Sequence, residues 1–162
     1  MFALVLADVI ADWGSYYSNH AVLRTIIAFA HIGGLVLGGG AAIVADRGVL
    51  AAIRRGEVER TTLLTSVRNT HAVVLAGLVV VMVSGVFLFA ADVDAYIASR
   101  LFWTKMALVA LLMVNGLVLT RAERRATAGD DVSWGTLQWT AIASLALWLL
   151  TTLTGTGLLN LG

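Results

Sequence analysis

The chain has 162 residues, of which 59% are hydrophobic and only 13% charged, and its mean hydropathy of +0.89 lies far above the water-soluble range. The absence of cysteine excludes disulfides, thiolate metal sites and covalently attached c-type haem. A net charge of +1 without a basic cluster argues against a nucleic-acid partner. We therefore expect a single transmembrane domain over residues 1–162, with the lipid bilayer as its main partner.

Residues 1–20 begin with "MFALVLADVIADW", in which apolar residues recur at helical spacing and Asp8 and Asp12 interrupt them. The stretch lacks the basic start of a signal peptide. It predicts a short amphipathic helix that lies in the membrane interface. The alternative is a frayed extension of the first membrane span.

Four later stretches approach the roughly 20 apolar residues that a membrane-spanning helix needs. These spans are 22–45, 72–91, 101–120 and 136–159. The connecting segments are short, so consecutive spans should run in opposite directions. The sequence thus predicts an all-α, integral membrane four-helix bundle of up-and-down topology. No acidic residue falls inside any of the four predicted spans.

The basic residues show which loops face the cytoplasm. Most of them lie in the first and third links between spans: Arg47, Arg54, Arg55, Arg60, Arg68, Arg121, Arg124 and Arg125. The positive-inside rule therefore predicts cytoplasmic arginine-rich loops and both termini outside. We expect a multi-pass protein of the bacterial inner (plasma) membrane.

His31 is the first candidate functional residue, in "FAHIGGLVLGGGAAIVADR". Helical spacing places it on one face with Gly34, Gly38 and Ala42. Small residues on a membrane helix allow close approach of a neighbouring helix, or of a flat ligand such as a porphyrin, so His31 should point into the bundle. Two interpretations stay open, namely structural hydrogen bonding and metal or proton chemistry.

The other histidines and two methionines complete the candidate ligands. His71 lies at the predicted inner boundary, about 20 Å along the bundle from His31, so one haem between both within one chain is not expected. His20 lies in a polar outer segment. Met82 and Met106 reach the depth of His31, where thioethers suit Cu(I) or the second axial position of a haem, unless they only fill the core.

Two further polar residues lie inside the third predicted span. Asn115 should bond across to another helix, because an unpaired amide is costly in a membrane. Lys105 should extend to the outer surface. The sequence contains no catalytic carboxylate pair, HExxH or phosphate-binding loop, which argues against a hydrolase or an ATP-driven pump. Four helices are few for a transport path, so we expect a homo-oligomer or a larger membrane complex.

Three segments resemble the bacterial copper-resistance membrane protein family CopD, across roughly 25–160. They are "FAHIGGLVLGGG", "VVVMVSGVFLF" and "FWTKMALVALLMVNGLVLTR". The resemblance implies copper handling at or across the membrane through His31, with Lys105 as a framework residue. Met82 and Met106 are candidate further copper ligands.

Two alternatives remain open at this point. One is a haem b electron-transfer protein, in which His31 and Met106, or His31 of two chains, ligate the iron beside Gly34 and Gly38. The other is a cofactor-free accessory subunit of a larger membrane complex.

Overall fold

The computed structural model describes residues 1–54, 57–129 and 133–161, and these are helical apart from short connections. The helices are α1 (Phe2–Asn19), α2 (Ala21–Ile53), α3 (Glu57–Ala91), α4 (Val93–Ala98), α5 (Arg100–Thr127) and α6 (Ser133–Leu161). Short breaks separate them. Asp92 and Ser99 cap α4 and α5 by accepting hydrogen bonds from backbone N–H groups of the first helical turn. Gly129, with a φ of 92°, follows the end of α5.

Four of these helices, α2, α3, α5 and α6, are long and apolar enough to cross a membrane. This confirms the all-helical prediction and its four helices of membrane-spanning length and composition. The helices run further than the predicted spans: α2 ends at Ile53 instead of residue 45, and α3 begins at Glu57 instead of residue 72. Charged residues indicate where lipid contact ends, but a helix continues beyond that point when its polar face meets water.

Helix α2 continues past residue 45, where the predicted span ends, and so includes the acidic residue Asp46. Its membrane-length segment, Ala21–Ile53, includes Asp46, which is only 1% exposed. Glu123 on α5 is also buried. The predicted span stopped just before Asp46 because an Asp-Arg pair is typical of a membrane boundary. In the folded chain, Asp46 points inward and Arg47 is exposed.

The N-terminal helix α1 is separate from α2. His20 interrupts the two helices with φ −115° and ψ 89°, so residues 1–20 do not extend the first span. The Trp13 indole N–H donates to the Phe87 carbonyl at 3.0 Å, and Gly14 packs on the Ala91 carbonyl. Helix α1 therefore packs against the final turns of α3, and its placement in the membrane interface stays a prediction.

Helices α2 and α3 form a closely packed pair, because glycines of the two helices face each other. A Cβ atom on Gly77 would lie 2.5 Å from the Gly38 Cα atom, and one on Gly34 would lie 3.0 Å from the Gly77 carbonyl oxygen. The second pair is α5 and α6, which the Asn115 side-chain amide joins by donating to the Thr140 carbonyl at 2.9 Å. The interhelical bond predicted for Asn115 is confirmed.

Trp148 of α6 packs across the two helix pairs. Its ring lies against Gly39 of α2, where a Cβ would be 3.1 Å away, and it shares a buried cluster with Ala42 and Leu112. We call the end where α2 and α5 finish the arginine-rich end; its described, exposed arginines are Arg47, Arg54, Arg121, Arg124 and Arg125. The opposite end is the aromatic end, which carries Trp13, Tyr16, Tyr17, Tyr96 and Trp103.

Candidate functional site

His31 lies between α2 and α3, where its Nδ1 is 3.0 Å from the Ser84 hydroxyl oxygen. Ser84 donates its own proton to the Val80 carbonyl, at 2.6 Å. A hydroxyl has one proton to give, so when Ser84 donates to Val80 its oxygen accepts from the His31 ring. This arrangement assigns the proton of the neutral imidazole to Nδ1 and the lone pair to Nε2.

Small residues on α3 make room for the imidazole ring. A Cβ atom on Gly85 would lie 3.4 Å from Cε1 of His31. Ser84 itself is 4% exposed, and the Val81 backbone also lies within hydrogen-bonding reach of the ring. The inward orientation predicted for His31 is confirmed, and α3 fixes the plane of its ring.

Lys105 is the charged neighbour of this histidine. It is half-buried, its ammonium lies near enough to His31 for an electrostatic interaction, and a Cβ on Gly155 would be 3.2 Å from its Nζ. The side chain thus lies against α6. The sequence analysis predicts instead that it extends to the outer surface. Gly155 provides the space: a larger residue at that position of α6 would fill it.

The remaining predicted site residues are placed less centrally. Met82 is 47% exposed and lies two residues before Ser84, about 200° around α3 from the face that meets His31. Met106 is 37% exposed on α5. Gly34 and Gly38 pack directly on α3, so their surface is filled by a helix. A ligand of His31 would therefore have to approach from a side of α2 other than the one that carries Gly34 and Gly38.

His71 belongs to the opposite end of the bundle. Its Nε2 lies 3.6 Å from the Glu123 carboxylate of α5. Thirteen residues of α3 separate it from Ser84, which is about 20 Å along a helix, so His31 and His71 are far apart, as predicted. His20 is exposed, with its Nδ1 2.7 Å from the Tyr16 carbonyl. Across the described residues, no group of three or more His, Asp or Glu side chains is arranged to hold a metal ion.

A cavity of about 410 Å³ opens at the aromatic end. Its polar lining includes Tyr17, Ser18, Arg24, Asp92, Tyr96 and Ser99. Arg24 precedes His31 by seven residues, about 10 Å along α2. The cavity therefore lies about two helical turns beyond the His31 level, toward the aromatic end.

Comparison with known proteins gives one result. A family model matches residues 6–159, nearly the whole chain. This chain belongs to DUF6644, a family of unknown function. The DUF6644 match begins inside α1 and reaches the last turn of α6, so it includes His31, Ser84 and Lys105. No curated protein and no solved structure matches the chain.

Sequence reasoning missed three features of this DUF6644 chain: the Ser84 bond to His31, the inward Lys105 and the buried Asp46. A sequence pattern on α3 could have predicted the contact between Ser84 and His31. Gly77 and Ser84 are seven residues apart and so share one face of α3, which repeats the seven-residue interval from His31 to Gly38 on α2. Two matching stripes of small residues predict helices packed face to face.

Proposed function

We propose that this protein is a multi-pass protein of the bacterial inner membrane that binds a metal, with copper handling of the CopD-like type as the first candidate. In this proposal Nε2 of His31 is the metal ligand. The arginine-rich end faces the cytoplasm, and four helices in up-and-down order place both termini outside. The excess of arginines at one end supports this orientation.

The hydrogen bond between His31 and Ser84 carries the proposal. A histidine that ligates a metal through one ring nitrogen commonly donates a hydrogen bond from the other, which fixes the tautomer and the ring plane. Here Nδ1 donates to Ser84, whose proton is committed to Val80. The lone pair on Nε2 is thus oriented without any rearrangement of the ring.

The available donors fit a soft metal ion better than a hard one. His31 supplies a neutral imidazole, and the candidate second ligands, Met106 and Met82, are thioethers; both donors suit Cu(I). A single imidazole leaves the coordination incomplete, so the proposal needs at least one thioether or a ligand from a second copy of the chain. We take Met106 as the first candidate. Met82 lies about 200° around α3 from the face that meets His31, so it is a candidate only as a ligand from a second copy of the chain.

Metal analysis of the purified protein tests the proposal. Inductively coupled plasma mass spectrometry should find copper near one atom per chain, and His31→Ala should lose it while the helical circular dichroism persists. His20→Ala is the matched control, because it removes an exposed histidine remote from Ser84. Equal copper in wild type and His31→Ala would exclude His31 as the ligand.

Haem b is the second candidate, and the position of Lys105 favours it. The Lys105 ammonium interacts with His31 electrostatically, so it would repel a bare cation but attract the carboxylates of a haem. A Soret band in protein from haem-replete cells, lost in His31→Ala, would replace copper with haem. Neither metal in either sample would favour a cofactor-free subunit, which native mass spectrometry would test as a homo-oligomer or as part of a larger complex.

A further inference from the structure

Asp46 of α2 is buried near the arginine-rich end, far from His31. Fifteen residues of α2 separate the two, which is about 22 Å along the helix. Asp46 is 1% exposed, as little as its core neighbour Val49. Its helix neighbours Ala45 and Val49 belong to a buried apolar cluster that joins α2 to α5 and α6 and also contains Leu119, Ala122, Leu137 and Ala141.

The Asp46 carboxyl has too few partners for a buried anion. Its hydrogen-bonding neighbour is the side chain of Ser144 on α6. The other oxygen, Oδ2, is fully buried and bonds to no group in the described structure. Buried charges in proteins are normally paired and fully hydrogen-bonded, because water no longer solvates them.

No charged side chain that the structure describes on the surrounding helices neutralises Asp46. Arg47 follows it on α2 but is exposed and lies about 100° around the helix. Helix α6 carries no ionisable side chain. On α5, Glu123 is itself acidic and faces His71 of α3 at 3.6 Å. Among the described side chains, none forms a salt bridge with Asp46.

We infer that Asp46 is a proton-binding site inside the bundle. The carboxylate takes up one proton to become a neutral carboxylic acid, and the new O–H donates to the Ser144 oxygen. Among apolar side chains, an oxygen without a hydrogen bond costs little free energy in a neutral carboxylic acid. In a charged carboxylate it costs much more. The proton comes from water at the arginine-rich end and returns there on release. A metal ion is disfavoured, because one carboxylate and one hydroxyl supply few of the oxygen ligands that a cation needs.

Infrared spectroscopy of the protein in lipid nanodiscs tests this inference. At mildly acidic pH, the wild type should show the carbonyl stretch of a protonated carboxyl group, and the band should vanish in Asp46→Asn. Glu123→Gln is the matched control, since it removes a second carboxyl that is buried among the described residues and should keep the band. An unchanged band in Asp46→Asn, or carboxylate bands assigned to Asp46 alone, would overturn the inference.

A chemical measurement on the wild type needs no variant. Dicyclohexylcarbodiimide is an apolar reagent that reacts with protonated carboxyl groups within membranes. Peptide mass spectrometry should locate its adduct on Asp46, with less adduct as the pH rises. Absence of the adduct at every pH would contradict the proposal. Protection by sodium chloride but not by choline chloride, at constant pH, would instead identify a sodium site and also overturn it.

Discussion

Gly77 of α3 faces Gly38 of α2 so closely that a methyl group on Gly77 would lie 2.5 Å from the Gly38 Cα atom. Membrane helices gain little from the hydrophobic effect when they associate, and close van der Waals packing holds them together instead. This contact lies between the His31 layer and the Asp46 layer. The spacing of α2 and α3 therefore depends on the absence of side chains here.

We predict that Gly77→Ala destabilises the protein by about 1–3 kcal/mol, the usual range for an overpacked interior. The new methyl group meets backbone, which cannot move aside as a side chain could. Thermal unfolding in detergent, followed by circular dichroism, measures the effect.

The controls are Gly40→Ala and Gly116→Ala, where an added Cβ meets nothing within 4 Å. Alanine favours a helix more than glycine does, so both variants should be as stable as wild type or slightly more so. Equal melting temperatures for Gly77→Ala and Gly40→Ala would show that α2 and α3 are not in close contact.

A second prediction concerns Ser84, which positions the ring of His31. Ser84→Ala removes the acceptor for Nδ1–H and should weaken metal binding by about 10–100-fold, the range seen when the partner of a ligating histidine is lost. Ser84→Thr keeps the hydroxyl and should retain most of the affinity. Metal titration of the purified protein measures both. Unchanged affinity in Ser84→Ala would remove the argument for a fixed tautomer.

The helices could be predicted from the sequence because their positions depend on residues that are close together in the chain. Long apolar runs imply membrane spans, and the face that His31 shares with Gly34 and Gly38 follows from helical geometry alone. The inward orientation of His31 and the interhelical bond of Asn115 were predictable for the same reason. These features need knowledge of one helix only.

The pairing of side chains between helices was not predictable in this way. The contact of His31 with Ser84 depends on the register of α3 against α2, and Lys105 turns inward only because Gly155 leaves room on α6. Asp46 was missed because its neighbour Arg47 suggested a membrane boundary. A charged residue in the sequence marks the end of an apolar run. Whether its side chain points inward or outward depends on the helices packed around it.

A third prediction uses Lys105 to distinguish the two candidate cofactors. Lys105→Met removes a positive charge near His31, so copper should bind more tightly, by about tenfold for each 1.4 kcal/mol of repulsion removed. Haem should bind more weakly, because its carboxylates lose a cation. Lys105→Arg keeps the charge and is the control. If copper and haem affinities both stay unchanged, the ammonium does not interact with the ligand.

The last prediction concerns Tyr96, which lines the cavity at the aromatic end with Tyr17 and Asp92. Burial raises the pKa of the Tyr96 phenol above its ordinary value, and nearby Tyr17 and Asp92 raise it further. Folding therefore favours the neutral, protonated form of the Tyr96 phenol. Once the pH exceeds the tyrosine pKa of the unfolded chain, about 10, unfolding releases a proton, so stability should fall as the pH rises through this range.

Ultraviolet titration of the three tyrosines should show one that ionises late. Tyr96→Phe should abolish that late step and flatten the loss of stability at high pH, whereas Tyr16→Phe should leave both in place, since Tyr16 is 53% exposed. Asp92→Asn should shift the late step to lower pH, because the amide carries no charge but still accepts the hydrogen bond that Asp92 receives from the Ala95 N–H. A titration curve that keeps its late step in Tyr96→Phe would assign that step to another tyrosine and would mean that the cavity does not bury the Tyr96 hydroxyl.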